Sequence, residues 1–123
     1  MSPIEKEPIN LIITGVGGQG NILISRLIGQ AFIKEGYTIT IGETYGATQR
    51  GGSVASHVRI SKEGELYSPV TPRGKVDIIL GLEPSESLRI LTGFGYSGTF
   101  VVTNTRPIYP LEVASGEAEY PTQ

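Results

Sequence analysis

A glycine-rich hexapeptide between an apolar run and a helical pattern constrains the fold of this chain more than any other feature. The hexapeptide GVGGQG, residues 15–20, follows a continuous apolar segment at residues 10–14, which is typical of a strand covered on both faces. Residues 21–35 carry apolar side chains at helical spacing, and Gly36 is a natural helix stop. Residues 38–42 have the pattern of a second strand. Because crossovers in β-α-β units are right-handed, we expect the first two strands to be parallel.

The hexapeptide also matches G-x-G-x-x-G, the dinucleotide-binding fingerprint. In that fingerprint Gly15 allows a tight turn out of the strand, Gly17 lets a ligand approach the backbone, and Gly20 lets the helix pack closely on the strand. Free N–H groups at the start of the helix would face an anion. The candidate anion or phosphate loop comprises Gly15, Gly17, Gly18, Gln19 and Gly20.

Nucleotide binding and a purely structural turn are both open interpretations of this loop. Glu43, at the end of the second predicted strand, stands where an acid could accept hydrogen bonds from a ribose, which favours a nucleotide. A dinucleotide fold, however, continues from its second strand through another crossover helix. Residues 43–52 are polar, contain glycines and have no helical periodicity, which favours the structural turn.

The middle of the chain predicts an inserted β-hairpin. In residues 54–60 apolar and polar side chains alternate with a period of two, as they do in a strand. Residues 61–65 have the composition of a turn, and residues 66–68 are interpreted as the return strand.

Two more strands and a second helix follow the hairpin. Residues 76–80 and 99–103 have the pattern of buried strands, and residues 84–91 begin with a proline, carry acids early and have Arg89 late, as a helix does. We therefore predict the α/β class: a three-layer α/β/α fold with a Rossmann-like β-α-β start and the inserted hairpin.

Composition and charge exclude several classes of partner. The chain has 10 basic and 12 acidic residues, so no electrostatic footprint indicates nucleic acid or an anionic membrane. Its apolar runs last about five residues, against the roughly 20 that a membrane-spanning helix needs. The first eight residues lack the basic start and apolar core of a signal peptide, which favours a cytoplasmic protein.

The content of cysteine and histidine limits metal and redox chemistry. The chain contains no cysteine, which excludes disulfides, a thiol nucleophile and a cysteine-ligated iron–sulfur cluster within it. With a single histidine, a zinc site is not expected either. We therefore expect no metal site in this chain.

A second group of candidate residues lies between the second predicted strand and the next. We assign to interface or active-site support Glu43, Tyr45, Gln49, Arg50, Gly51, Gly52, Ser53 and His57. Arg50 could clamp a phosphate or carboxylate, or it could pair with Glu43; the two interpretations are evenly balanced. His57 has no second titratable partner in sequence, so a structural or interface role is favoured over proton transfer.

Five motifs occur in the order found in one known family. They are GVGGQG, YGATQRGGSVASHVRI, LYSP, DIILGLEPSESLR and VVTNTRPIYP, and the similarity runs from residue 10 to residue 121. In these motifs the chain resembles the gamma subunit or domain of 2-oxoacid:ferredoxin oxidoreductases, and most closely the small (beta) subunit of indolepyruvate:ferredoxin oxidoreductase.

The resemblance implies a complex that oxidatively decarboxylates a 2-oxoacid to an acyl-CoA and passes electrons to ferredoxin. It implies that thiamine diphosphate, Mg and 4Fe–4S clusters reside on a large catalytic partner subunit and that this chain alone binds no cofactor. Coenzyme A would be a cosubstrate of the complex. This chain would be a three-layer element packed on the catalytic parts and inactive alone. We expect its loops at residues 15–20 and 46–53 to share one carboxyl edge of the sheet, as its functional or subunit-contact edge.

The resemblance also bears on domain organisation. We interpret residues 1–9 as a flexible lead-in and residues 10–123 as a gamma-type domain, truncated at its C-terminus because family members continue past the position of Gln123. Two other functions are kept as alternatives, a stand-alone dinucleotide-binding domain for NAD or FAD and an interaction module without a ligand.

Overall fold

A five-stranded mixed sheet with one helix on each face organises the chain. The computed structural model describes residues 7–16, 20–45, 52–62 and 64–106. In chain order the elements are β1 (Ile9–Val16), α1 (Asn21–Lys34), β2 (Thr38–Tyr45), β3 (Ser53–Ser61), β4 (Ile78–Gly81), α2 (Pro84–Phe94) and β5 (Phe100–Thr103).

The strand order is β2-β3-β1-β4-β5, with β1 in the centre. β4 pairs with β1 and with β5 in parallel, whereas β3 is antiparallel to both of its neighbours, β1 and β2. Two antiparallel steps restore the direction, so β1 and β2 point the same way, as the β-α-β pattern predicts. They are not neighbours, however, because β3 lies between them.

The predicted return strand at residues 66–68 is wrong, because these residues form no strand. β3 already has a partner on each side: Val58 lies opposite Leu11 of β1 and opposite Ile41 of β2. Neither edge of β3 is therefore available to a third strand. The hairpin partner of β3 is the strand before it, β2, and not the segment after it.

The two helices cover opposite faces of the sheet. Successive side chains of a strand point to opposite faces. Leu11 and Ile13 accordingly belong to a core that includes Ile28 of α1, whereas Ile12, between them, packs in a second core with Ile90 of α2. The predicted α/β/α layering is therefore confirmed.

Small side chains on the inner face of α1 let this helix lie close to the sheet. Asn21, Ser25 and Gly29 are its buried residues, four positions apart. A Cβ on Gly29 would lie 3.1 Å from Ile41 Cδ1. The expectation that Gly20 provides this close approach is wrong, since nothing lies within 4 Å of a Cβ there. Gly20 is instead needed for its left-handed φ of 92° at the helix N-cap.

The C-terminus of α1 has the hydrogen bonds of a Schellman motif, with Gly36 at a φ of 93°. The Gly36 N–H donates to the carbonyl oxygen of Ile33, and the Tyr37 N–H donates to that of Phe32, both at 3.0 Å. The rings of Phe32 and Tyr37 meet edge to face at 5.4 Å. Gly36 therefore ends the helix as predicted.

A buried carboxylate caps the N-terminus of α2. Glu83 has no exposed surface, and its Oε1 accepts hydrogen bonds from the Ser85 hydroxyl at 2.6 Å and the Glu86 N–H at 2.9 Å. Pro84 occupies the first helical position, where its missing N–H costs nothing. The helix runs to Phe94, three residues beyond the predicted end.

Residues 64–77, called the strap here, cross the sheet beside α2 and cover the polar face of β3. Arg59 Nη1 donates to the Ser68 carbonyl oxygen at 3.0 Å, and the Thr71 N–H donates to His57 Nδ1 at 3.1 Å. Gly42 of β2 lies under Pro69, whose Cβ would be 2.5 Å from a Cβ on the glycine. The strap therefore takes the place on this face that a second helix would occupy.

A polar network joins the strap to the start of β1. The Asn10 N–H donates to Asp77 Oδ2 at 2.8 Å, and the Asn10 side-chain oxygen accepts from Arg59 Nε at 2.9 Å. The Tyr96 hydroxyl donates to Asp77 Oδ1 at 2.8 Å. Burial lowers the pKa of Arg59 from its usual value. The network gives buried polar groups the partners that they need away from water.

His57 is neutral inside the fold. Its Nδ1 accepts from the Thr71 N–H, so the proton lies on Nε2, which is 3.2 Å from Thr44 Oγ1. Burial, and then the charge of Arg59, lower the pKa of His57 to about 4. Protonation would remove the acceptor that holds Thr71, so the imidazole stabilises the strap only in its neutral form.

Gly81→Ala should destabilise the fold. A Cβ on Gly81 would collide with the Ser87 hydroxyl, which donates to the Glu83 carbonyl oxygen at 3.0 Å and lies 2.7 Å from Thr103 Oγ1. Overpacking of this kind costs about 1–3 kcal/mol in the free energy of unfolding. Chemical denaturation measures the loss.

Gly93→Ala is the matched control for that experiment. Gly93 lies in α2, and the nearest atom to its added Cβ is the mobile end of Arg73 at 3.3 Å. Alanine is preferred to glycine in a helix by roughly 0.5–1 kcal/mol, so this variant should be as stable as the parent or more so. Equal stability of Gly81→Ala and the parent would contradict the packing described for β4.

Because of His57, the free energy of unfolding should decrease as the pH is lowered. Its pKa is about 4 in the fold against 6.5 unfolded, so its contribution is complete above pH 6.5 and is lost progressively towards pH 4. By pH 4.5 the loss is about 2 kcal/mol. Carboxylates also titrate in this range, so the measurement is the difference between the parent and His57→Gln, followed by denaturation at pH 7.5 and 4.5. A pH-independent difference would contradict a neutral, buried imidazole.

Candidate functional site

The two glycine-containing loops flank one edge of the sheet. β1, β2, β4 and β5 all point towards this edge, and β3 starts from it. Val16, the last residue of β1, lies opposite Ser53, and Tyr45, the last residue of β2, lies opposite Val54. The ends of both loops are therefore neighbours. The loop interiors, with the candidates Gly17, Gly18, Gln19, Gln49, Arg50 and Gly51, lie outside the described residues.

Two of the remaining candidates occupy strands rather than turns. Gly15 was expected to form the turn out of the first strand, but it is paired with Val54 inside the ladder. Glu43 was expected at the strand end, but β2 continues to Tyr45, and Glu43 lies half-buried opposite Ser56. In both cases the strand is longer than predicted from residues 10–14 and 38–42, because backbone pairing with β3 continues to Val16 and to Tyr45.

The other described candidates divide between the edge and the interior. Gly52 and Ser53 are half-buried at the entrance to β3, and Gly20 precedes α1. His57 lies four residues further into β3 with no exposed surface. Both of its ring nitrogens face hydrogen-bond partners, Thr71 and Thr44, which places it in the strap contact and away from the edge.

The N-terminus of α1 opens onto this edge without a side-chain cap. No side chain caps its N-terminus, where Gly20 is the N-cap residue, and its first turn contains no acidic residue. The first backbone bond of the helix is donated by the Ile24 N–H to the Gly20 carbonyl oxygen at 3.0 Å. The first-turn N–H groups and the helix dipole therefore present partial positive charge at the carboxyl edge.

Asn21 ties this helix end to two strands, a role that the sequence reasoning missed. Its Nδ2 donates to the carbonyl oxygens of Ile13 in β1 and Val54 in β3, both at 2.9 Å. Its Oδ1 is buried and has no hydrogen-bond partner. The available signal was the helical spacing of Asn21, Ser25 and Gly29, which places an amide on the inner face of α1.

A cavity of about 410 Å³ lies beside Asn21 at this end of the helix. Most of its lining is apolar side chain, and two of these side chains are largely exposed, Leu23 at 64% and Tyr45 at 67%. The lining residues are Val16, Gly20, Asn21, Ile22, Leu23, Tyr45 and Val54. An apolar body could fill it, beside the backbone N–H groups at the start of α1.

The same edge contains a topological switch point. β1 and β4 are parallel neighbours, but β1 leads to α1 on one face and β4 leads to α2 on the other. Ligands of open α/β sheets bind in the crevice outside the strand ends at such a point. Glu83 lies at the α2 side of the crevice, and Leu82 is tied to the end of β1 by its N–H bond to the Thr14 carbonyl oxygen at 2.8 Å.

A membrane-spanning helix and a cluster of metal ligands are both absent from the described residues. Neither α1 nor α2 is long and apolar enough to span a bilayer. No three histidine, aspartate or glutamate side chains of the described residues are grouped as metal ligands would be.

Comparison with known proteins gives consistent matches. Residues 10–122 match the pyruvate ferredoxin/flavodoxin oxidoreductase family. The chain is 44% identical over 113 residues to the indolepyruvate oxidoreductase subunit IorB of Thermococcus kodakarensis, which is 92% of this chain and 54% of the relative. The IorB subunit of Pyrococcus horikoshii matches with the same identity and coverage. This chain thus spans about half the length of these curated relatives.

Solved structures share the fold. The 2-oxoglutarate:ferredoxin oxidoreductase of Magnetococcus marinus aligns with a TM-score of 0.66 at 23% identity, covering 80% of this chain and 16% of that one. The pyruvate oxidoreductase subunit PORC of Thermotoga maritima aligns with a TM-score of 0.62 at 16% identity, covering 94% and 58%.

The family expected from the five motifs is therefore confirmed. The α/β architecture agrees with both solved structures, and the sequence match runs from the start of β1 to the last residues of the chain. The chain belongs to the pyruvate ferredoxin/flavodoxin oxidoreductase family.

Proposed function

We propose that this chain is part of the small subunit of a thiamine-dependent 2-oxoacid:ferredoxin oxidoreductase of the indolepyruvate type. The observation that carries the proposal is the 44% identity over 113 residues to two curated indolepyruvate oxidoreductase subunits. The reaction is the oxidative decarboxylation of an arylpyruvate to an acyl-CoA, with ferredoxin as the electron acceptor. A cytoplasmic location follows from the same proposal.

The redox groups belong to a large catalytic partner in this proposal. Thiamine diphosphate with its Mg supplies the carbanion chemistry of decarboxylation, and 4Fe–4S clusters accept the electrons. The residues of this chain do not fit such a cluster, because cluster irons are held by cysteine thiolates and the sequence has no cysteine. The chain therefore supplies surface and placement, and is inactive alone.

The carboxyl edge is the part of the chain that we assign to this role. The strand ends bring the flanks of both loops together, with Val16 opposite Ser53. The uncapped start of α1 offers backbone donors there, so an anionic group of the partner or of coenzyme A would be stabilised. Arg50, in the loop between β2 and β3, would add a guanidinium that binds carboxylate or phosphate in a bidentate manner.

The large subunit should co-purify with the full-length small subunit when the two are co-expressed. The expected complex contains both chains in a fixed ratio, carries iron and thiamine diphosphate, and reduces ferredoxin with indolepyruvate and coenzyme A. Size-exclusion chromatography with metal analysis measures assembly, and ferredoxin reduction measures turnover. A full-length small subunit that stays separate from the large one would refute the proposal.

Arg50→Ala should lower turnover or assembly of that complex by roughly tenfold or more, since a charge-assisted contact at an interface is worth about 2 kcal/mol or more. Arg89→Ala is the matched control, because Arg89 is an exposed arginine paired with Glu86 at 2.8 Å on α2. Such surface pairs contribute little to stability, so this variant should behave as the parent. If Arg50→Ala and Arg89→Ala show equal turnover and assembly, Arg50 makes no contact at the proposed edge.

A further inference from the structure

The sheet face on which α1 lies is open over β4 and β5. Leu11, Ile78 and Phe100 lie side by side on this face, one in each of β1, β4 and β5. The exposed fraction rises along this row from 6% at Leu11 to 36% at Ile78 and 64% at Phe100. Because α1 packs mainly against β1, β2 and β3, the apolar face extends beyond the helix that covers it.

A second row of side chains shows the same trend. Ile13, Leu80 and Val102 lie side by side on the same face. Ile13 has no exposed surface, Leu80 is half-buried, and Val102 is 48% exposed. The exposed members of the two rows, Ile78, Phe100 and Val102, are called the open face here.

The opposite face of the same two strands is closed by α2. Ile79 has no exposed surface, Val101 is half-buried, and both belong to the core that includes Ile90 of α2. The run at residues 100–102 is therefore apolar towards both faces of the sheet. Such a run is typical of a strand that is covered on both faces, so β5 calls for a layer on the α1 side as well.

The open face differs from the exposed leucines of the two helices. Leu23 and Leu27 of α1, and Leu88 of α2, belong to helices that already cover the sheet. Exposed leucines on the surface of such a helix are ordinary. A sheet of an α/β domain, by contrast, buries each apolar face against another layer, so the open face is a gap within the core of the domain.

The dimensions of the open face are those of one helix. Neighbouring strands lie about 4.8 Å apart, so β4 and β5 together are roughly 10 Å wide. An α-helix with its side chains has a diameter of about 10–12 Å. β5 has four residues and is therefore about 13 Å long, a distance that roughly nine helical residues span. One amphipathic helix beside α1 would fill the gap.

The chain leaves β5 next to the open face. The Asn104 N–H donates to the Gly81 carbonyl oxygen at 2.8 Å, which keeps the exit of β5 attached to β4. The Arg106 N–H then donates to Asn104 Oδ1 at 3.1 Å, the hydrogen bond of an Asx turn. Arg106 follows Val102 by four residues, so the two lie at most about 14 Å apart. The chain after Arg106 therefore starts within reach of the open face.

Family members have more chain with which to cover this face. The family match extends past Arg106 to residue 122. The match to the IorB subunit of Thermococcus kodakarensis covers 54% of that relative, so nearly half of its length lies outside the matched span. A segment tethered by a short linker has an effective concentration in the millimolar range, which a separate molecule lacks. The tether favours the subunit's own chain as the occupant over a second molecule.

We propose that the part of the small subunit that follows Arg106 returns over β4 and β5 and packs an amphipathic helix on the open face, beside α1. The apolar side of this helix covers Ile78, Phe100 and Val102, and its polar side faces away from the sheet. The open face is then an internal contact of the small subunit, which leaves the carboxyl edge to the large subunit. This inference rests on the proposed function, because it takes the full-length small subunit from there.

Thiol labelling of the isolated full-length small subunit tests whether the open face is covered. A covered thiol reacts only when the covering segment opens, so Val102→Cys should react with a maleimide at least about tenfold more slowly than Leu88→Cys. Leu88 is the matched control, because it is 52% exposed on α2 against 48% for Val102. Each rate is divided by that of the same variant unfolded in urea, and mass spectrometry identifies the labelled peptide. Equal normalised rates would overturn the inference.

A photo-crosslinker at Phe100 identifies the occupant and keeps an aromatic side chain at this position. With p-benzoylphenylalanine there, we expect a cross-link within one small-subunit molecule, to a peptide that follows Arg106, both alone and in the complex. A cross-link to a second copy, to the large subunit or to residues before Arg106, or no cross-link at all, would overturn the inference.

The two proposals fail separately. If the parent small subunit does not bind the large subunit, the proposed function fails, while labelling of the isolated small subunit still decides whether the open face is covered. If the parent binds the large subunit and Val102→Cys reacts as fast as Leu88→Cys, only the inference about the open face is wrong.

Discussion

The insertion of β3 between β1 and β2 is the constraint on which the rest of the structure depends. Every residue of β1 from Ile9 to Val16 has a partner in β3, and every residue of β2 has one as well. When a strand has a neighbour on each side, its backbone N–H and C=O groups are hydrogen-bonded within the sheet, whether its side chains are polar or apolar. Polar residues such as His57 and Arg59 therefore become buried, and the strap and its hydrogen bonds are needed to accommodate them.

The elements with strong local signals were predictable. The apolar run of β1, the 3.6-residue period of α1 and the glycine at its C-terminus each depend on interactions within a few residues, so they can be recognised without tertiary information. The same holds for α2, where Glu83 and Pro84 mark the start. The family resemblance, drawn from five ordered motifs, was likewise confirmed by a match over residues 10–122.

The elements that depend on distant partners were not predictable in the same way. The alternation in residues 54–60 correctly predicted a strand. Its neighbours are β1 and β2, and this pairing depends on residues far away in the sequence. At the candidate site, Asn21 escaped notice because its two acceptors, Ile13 and Val54, are 8 and 33 residues away.

The antiparallel β3 also limits what the glycine-rich loop can do. In a dinucleotide fold the strand next to the first one is parallel and leads onward through its own helix. Here the neighbour of β1 is β3, which is antiparallel to it. β3 therefore begins at the edge where a dinucleotide fold would have the N-terminus of a second helix facing the phosphates. On either side of residues 17–20, β1 and α1 keep the strand and the helix of the fingerprint.

The central position of β1 has a consequence for synthesis on the ribosome. Among the described strands β1 is made before the others, and its partners on its two sides, residues 53–60 and 78–81, come later in the chain. The strand, with Leu11, Ile12 and Ile13 in its middle, has no partner until β3 has left the exit tunnel, and its second edge stays open until residue 81 has followed. During that interval an apolar strand exposes an unpaired backbone edge, and such transiently exposed edges promote aggregation.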